Sequence, residues 1–280
     1  MIIDAKSCLT KAKRDKKAVG AFNVSSIEAL QAVFEAASSL KSIIFVTTSF
    51  GESKYLTPEL VVEICSKLSQ IYKVDYCVHL DHGEDYNWIK RCLDAGYNSI
   101  HIDYGEVSYK ENLENTKKVR ELTYQYGAQL EGEIGIVPLC YYRDKIEDNL
   151  ELTNPDLAYK YVQETEIDSL AVSIGTQSGK YKKIKPLDIE TLRKLNRLLP
   201  EIPFVLHGGS FLSVDMYDSC INKGVAKINI NTEIRLAYTN KLKTNIKQNS
   251  DEYAPYRLLK GVKEYIEDIV RKKIKVFSRI

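Results

Sequence analysis

The chain has 280 residues, 44% of them hydrophobic and 28% charged, which suits a buried core and excludes a disordered polymer. Forty Lys and Arg against 38 Asp and Glu leave a formal net charge of +2, without the basic surplus that a nucleic-acid-binding face needs. Apolar runs such as Ile43–Val46 fall far short of the ~20 residues that cross a bilayer, the start Met1–Lys6 carries no signal-peptide pattern, and the six cysteines form no C-x-x-C pair, so a cytoplasmic protein with reduced thiols and no membrane partner is expected.

In chain order, the basic run Lys11–Lys17 reads as the solvated surface of a helix. A strand is predicted at Ala18–Val24 and a helix at Ser26–Ala37, where Ile27, Leu30, Val33, Phe34 and Ala37 share one face and Ser25 or Ser26 caps the start. The same alternation continues. Strands are predicted at Ser42–Ser49, Tyr76–Gly83, Ser99–Gly105, Ala128–Gly135, Ser169–Gly175, Pro203–Gly209 and Val225–Asn231. Helices are predicted at Pro58–Tyr72, Asp85–Ala95, Tyr109–Tyr126, Pro155–Thr165, Asp188–Leu198, Val214–Lys223 and Glu233–Gln248. Eight β-then-α units of nearly continuous apolar strands imply an α/β fold, a (β/α)8 TIM barrel forming one domain over residues 1–280, with an open doubly wound sheet as the alternative. Two features exceed the repeat. A long irregular segment, Ile136–Asn154, follows the fifth strand, and the tail from Asp251 to Ile280 holds an extra amphipathic helix (Leu258, Val262, Ile266, Ile269, Val270) that packs on the barrel or on a partner chain.

A barrel keeps its chemistry at the C-terminal ends of the strands, and polar residues collect there. Asn23 ends the first strand, Thr47-Thr48-Ser49 the second, Asp81-His82-Gly83 the third and Asp103 the fourth. Glu131 and Glu133 lie in the fifth, and the last three run into Gly175–Gly179, His207–Ser210 and Asn229–Thr232. Of four histidines, His79 and His101 read as core or wall residues, whereas His82 and His207 sit beside glycine at strand ends. With Asp103 and Glu133 they make a nitrogen-and-oxygen set suited to a divalent metal such as zinc, although an acid–base site without metal satisfies the pattern equally. Gly208, Gly209 and Ser210 before one helix, and Asn229, Asn231 and Thr232 before the last large one, suggest a phosphate site.

These residues resemble the class II, metal-dependent fructose- and tagatose-bisphosphate aldolases. The resemblance rests on Gly20–Asn23, His79–Gly83, Ile102-Asp103, Glu131–Gly135, Leu170–Thr176, Val205–Ser210 and Gly224–Asn229, in order along nearly the whole chain. It implies reversible aldol cleavage of a phosphorylated ketose through a dihydroxyacetone phosphate enediolate, in a cytoplasmic homodimer. By the same resemblance Asp81 is the acid/base, His82 and His207 are ligands of a Zn2+ cofactor, and Asp103 and Glu133 hold the metal in an alternate position. Gly179, Gly208, Gly209, Ser210, Asn229, Asn231 and Thr232 bind the phosphorylated substrate, with Asn23 and Ser49 beside them. Three departures stand out. The family's Gly-Thr-x-His-Gly, whose histidine is a third ligand, reads Gly175-Thr-Gln-Ser178-Gly179 here. Pro138-Leu139 and Tyr141-Tyr142 replace the loop that supplies a glutamate base, for which Glu147, Glu151 or a tyrosine are substitutes in reach along the chain, and Phe211 and Tyr104-Gly105 replace small residues. The altered loops favour a substrate other than fructose 1,6-bisphosphate. An inactive phosphosugar-binding barrel and a metal-independent isomerase or epimerase are the competing readings.

Overall fold

In a computed structural model, described for residues 1–104, 107–137, 152–181 and 183–280, eight parallel strands close into a barrel in chain order. The strands are β1 (Val19–Asn23), β2 (Ile44–Ser49), β3 (Tyr76–Gly83), β4 (Ser99–Ile102), β5 (Gln129–Ile134), β6 (Ser169–Val172), β7 (Phe204–Leu206) and β8 (Val225–Ile230). The helices are α1 (Ala5–Arg14), α2 (Ile27–Ser39), α3 (Phe50–Leu56), α4 (Pro58–Tyr72), α5 (Tyr86–Ala95), α6 (Tyr109–Gln125), α7 (Pro155–Thr165), α8 (Ile189–Leu198), α9 (Val214–Ile221), α10 (Thr232–Gln248), α11 (Pro255–Leu258) and α12 (Val262–Ser278). The (β/α)8 barrel is therefore the observed fold, and no described helix is long and apolar enough to cross a membrane.

Side chains on a strand alternate between faces, and here the two faces carry different chemistry. Phe22, Val46, Val78, Leu80, Ile100, Leu130, Leu170, Leu206 and Ile228 belong to the apolar layer between strands and helices. The alternate residues point into the barrel, and many are polar. Registers such as Thr47 beside His79, His79 beside Ser99, and Ser99 beside Gln129 stack them in layers. The N-terminal end is sealed by α1, whose Ala5, Leu9 and Ala12 pack on Ala21, Phe45, Cys77 and Ala226. Asp4 caps that helix through the backbone N–H of Ser7.

Several boundaries differ from the sequence expectation. The expected spans of β4, β6 and β7 run past the ladder, which ends at Ile102, Val172 and Leu206, before the expected Gly105, Gly175 and Gly209. Gly175 and Gly208 have positive φ (102° and 64°) at those exits. Helices α1 and α3 were not expected as barrel elements. The basic run 11–17 covers the end of α1, whose opposite face closes the barrel floor. The tail splits into α11, holding Leu258, and α12, whose Val262, Ile266, Val270, Ile274 and Phe277 are buried. It packs on this barrel against α2 and α10. Five described cysteines are free thiols. Pro138, Leu139, Tyr141, Tyr142, Glu147 and Glu151 lie outside the described residues, as do Cys140 and Gly105.

Candidate metal centre and active site

The site begins with an irregularity in β3. Leu80 pairs with Ile100 but Gly83 pairs with Ile102, so β3 carries one residue more than β4 across this step. His82 absorbs the extra residue in a left-handed conformation (φ 54°). Such a bulge re-aims side chains, and Asp81 and His82, neighbours that regular pleating would send to opposite faces, both reach the mouth of the barrel. Gly83 follows where a Cβ would stand 3.0 Å from the carbonyl oxygen of His101.

Three imidazoles meet there, with ring centroids 4.8 Å (His82 to His101), 5.0 Å (His82 to His207) and 4.5 Å (His101 to His207) apart. Asp81 Oδ1 lies 3.7 Å from His82 Nε2, 3.8 Å from His101 Nδ1 and 3.6 Å from His207 Nδ1. Each far ring nitrogen faces a carboxylate. His82 Nδ1 bonds Asp103 Oδ2 at 2.6 Å, His207 Nε2 bonds Glu131 Oε1 at 2.9 Å, and His101 Nε2 stands 3.2 Å from Glu133 Oε2. Asp81 is further held by the amides of Asn23 (3.1 Å, to Oδ2) and Asn229 (3.0 Å, to Oδ1).

Burial opposes charge on every one of these groups, and their neighbours decide the outcome. It would raise the Asp81 carboxyl, but His82, His101 and His207 outweigh it and hold the group well below the usual range. It would lower His82, but Asp81 and then Asp103 push that imidazole up to about 10. His101 is carried up to about 9 against burial by Asp81 and Glu133. His207 stays lowered, by burial and then by repulsion from His101.

Asp81, His82, His101 and His207 form one group able to hold a cation, and His82, Asp103 and Glu133 a second. Asn23 Oδ1 and Asn229 Oδ1 are buried without a hydrogen-bond partner, and His101 Nε2 and Glu133 Oε2 have no partner beyond each other. Convergent nitrogen and oxygen donors with unspent valences fit a divalent cation of borderline softness.

The mouth opens into a cleft of about 550 Å3. It is lined by Asn23, Ser49, Ser178, Gly179, Gly208, Ser210, Asn229, Asn231 and Thr232 among others, so nearly all the expected substrate residues share one wall system. Gly209 is the exception. It faces the barrel, where a Cβ would meet Ile228 Cγ2 at 2.6 Å. Gly208 admits no side chain either, since its Cβ would lie 2.5 Å from Gln177 O. Tyr181 ties these two loops together, donating to Gly208 O (2.7 Å) and accepting from Gln177 N–H (3.0 Å). Beside them α10 begins at Thr232 with no side-chain cap from Asn231, whose Oδ1 is buried and unpartnered. An uncapped helix N-terminus against glycine loops is a natural anion cradle.

The sequence pattern assigns no site role to four contributors, His101, Glu131, Glu52 and Arg235. His101 has the sequence pattern of a wall residue, yet it stands among the metal-binding candidates. Glu131 backs His207 and pairs with Lys227 Nζ at 2.7 Å. Glu52 accepts from Asn23 Nδ2 (3.1 Å) and Ser49 N–H (2.8 Å), and Arg235, on the cleft wall, closes on its other oxygen. Only the capping pattern Ser49-x-x-Glu52 was a local signal for Glu52, because it opens α3 with a reciprocal capping box.

A profile of the family described as fructose-bisphosphate aldolase class-II matches residues 3–280. Among curated proteins, the D-tagatose-1,6-bisphosphate aldolase subunit GatY of Klebsiella oxytoca is 36% identical over 282 residues, covering 98% of this chain and 97% of its own. The fructose-bisphosphate aldolase of Thermus caldophilus is 31% identical over 304 residues, covering 100% and 99%. Among solved structures, the YdjI aldolase from Escherichia coli K12 superposes with a TM-score of 0.85 at 29% identity, covering 99% of this chain and 97% of that one. The fructose-bisphosphate aldolase of Campylobacter jejuni shares the fold with the same TM-score at 21% identity, covering 100% and 96%.

Proposed function

The chain belongs to the class II fructose-bisphosphate aldolase family, whose members are carbon–carbon lyases, and from that premise we propose a metal-dependent aldolase that cleaves or forms a phosphorylated ketose, with dihydroxyacetone phosphate as one product. The observation that carries the reading is the meeting of His82, His207 and Asp81 within one bonding shell, directly beneath a glycine-lined anion cradle. His82 and His207, with Asp103 and Glu133 close behind, would hold a zinc ion, which would supply Lewis-acid polarisation of the ketone carbonyl.

The chain's own groups do the rest. The backbone around Gly179, Gly208, Gly209 and Ser210, with Asn231 and Thr232 at the start of α10, binds the phosphate and sets the ketose along the cleft. Asn23, Ser49 and Asn229 present amide and hydroxyl groups to the sugar hydroxyls. Asp81 is ionised and pinned by two amides, so it takes the proton from the hydroxyl next to the breaking bond. As the aldehyde forms, the electron pair of the carbon–carbon bond passes to the ketone side, and protonation there completes dihydroxyacetone phosphate.

The Ser178 and 138–151 loop departures favour a ketose other than fructose 1,6-bisphosphate. The family resemblance further supports one domain over 1–280 and a cytoplasmic homodimer. Release of dihydroxyacetone phosphate from tagatose 1,6-bisphosphate, fructose 1,6-bisphosphate and a panel of ketose phosphates, read by a coupled reductase, tests the proposal. Release from at least one is expected. Binding of these sugars with no release, and no condensation in reverse, contradicts it and favours a phosphosugar-binding barrel.

A further inference from the structure

We propose that His101 is the third imidazole ligand of the cation, bound through Nδ1, and that Glu133 is the carboxylate orienting it rather than a ligand. The inference rests on the metal-dependent reading above and deepens it. Its basis is a threefold repetition at the mouth: each of three imidazoles presents one nitrogen to the same point near Asp81 Oδ1 and turns the other to its own carboxylate. The pairs are His82 with Asp103, His207 with Glu131 and His101 with Glu133. A carboxylate behind each ligating imidazole is how metal sites fix tautomer and ring orientation.

The tautomer of His101 agrees. In the neutral form that a ligating imidazole takes, the backbone N–H of His82, 3.2 Å from Nδ1, makes that nitrogen the lone-pair side and leaves the proton on Nε2 toward Glu133. That hydrogen bond is long, and Nδ1 is also the nitrogen that faces Asp81, His82 and His207. His101 is fully buried, and neither Nε2 nor Glu133 Oε2 has another partner. A ring placed here only to fill the wall would not be left so poorly satisfied. Ser178, on the cleft wall, offers a hydroxyl, a poor cation ligand beside an imidazole. The strand β4 thus supplies from the barrel wall what the loop after β6 does not.

The test counts imidazoles and needs no catalysis. In the purified full-length protein loaded with one equivalent of zinc or cobalt(II), X-ray absorption fine structure should show three imidazoles per metal. In His101→Asn the amide oxygen can still accept the His82 N–H but is a weak ligand, so affinity measured by chelator competition should fall at least about 100-fold, beyond the effect of losing an orienting group alone. Adding Ser178→His to that variant should restore the third imidazole and most of the affinity. Two imidazoles in the wild type, or undiminished affinity in His101→Asn, overturns the assignment while leaving the metal-dependent reading intact. Failure of the wild type to take up any cation overturns both. The wild-type count decides the matter even where the variant fails to fold.

Discussion

The barrel encloses two polar clusters built from the same residue types, one sealed and one open. In the lower one, Lys227 donates to His79 Nε2 (2.8 Å) and pairs with Glu131 (2.7 Å), and His79 Nδ1 bonds Ser99 Oγ (2.7 Å). Ser99 passes its hydrogen to Gln129, whose amide donates to Ser169 (2.9 Å), and Ser169 returns to Glu131 (3.4 Å). None of these five polar side chains beyond Glu131 has an unpartnered atom, and the ring of donors and acceptors closes with one consistent set of proton positions. In the upper cluster Asn23 Oδ1 and Asn229 Oδ1 are buried without a partner, and His101 Nε2 and Glu133 Oε2 have only each other, at 3.2 Å. Buried polar groups are normally satisfied. The lower cluster is complete as protein, whereas the upper one is complete only with something bound. Glu131 joins them, with one oxygen on Lys227 below and the other on His207 above.

Changes in the two clusters have opposite signatures. The largest effect on stability is expected from Lys227→Met, which leaves Glu131 buried opposite no cation. Breaking a buried pair this way costs about 3–5 kcal/mol, to be read from chemical denaturation with no metal present. His82→Ala should do the reverse. Denaturation of the chelated protein changes little above about pH 10, where the His82 proton no longer contributes, while at neutral pH metal affinity and turnover fall at least about 100-fold.

A pH dependence separates the clusters further. In chelated protein His82 holds its proton up to about 10, against an ordinary imidazole value of 6.5. A folded-state value raised above the unfolded one gives stability that is fully present below about pH 6.5 and lost as pH climbs through about 10. Unfolding of the chelated protein should therefore become easier between pH 7 and 10. The cation must displace that proton and the one His101 holds up to about 9, so metal uptake releases about two protons and tightens as pH rises. Calorimetry in buffers of different ionisation enthalpy measures the count. The smallest effect concerns neither cluster. Phe211 sits at φ 65°, so Phe211→Gly relieves a left-handed strain of about 1 kcal/mol, partly offset by glycine's greater freedom when unfolded. A slight rise in melting temperature is the expected reading.

The comparison also shows what a sequence can carry. All eight strands are legible as short runs rich in aliphatic and β-branched residues, the outward Phe22, Val46, Val78 and Ile228 among them. Asp81, His82 and His207 were legible because glycine marks the strand ends beside them. His101 was not. Between Ile100 and Ile102 it has the same local pattern as His79 between Val78 and Leu80, yet one ring belongs to the sealed cluster and the other to the open one. What separates them is depth in the barrel and the one-residue bulge of β3, both set by pairing with other strands. The salt link between Glu52 and Arg235, which spans most of the chain, was hidden for the same reason. So was the role of α1, whose basic stripe is plain in the sequence while its apolar face gains meaning only against the barrel floor.

The most direct test of the open cluster as a metal-dependent aldolase site is turnover across a cycle of chelation and reloading. Ketose phosphate cleavage, or condensation of dihydroxyacetone phosphate with an aldehyde, is followed in protein as purified, after dialysis against a strong chelator, and after one equivalent of zinc is returned. The account predicts loss of turnover on chelation and its recovery with zinc. Turnover that persists undiminished in the chelated protein would contradict it.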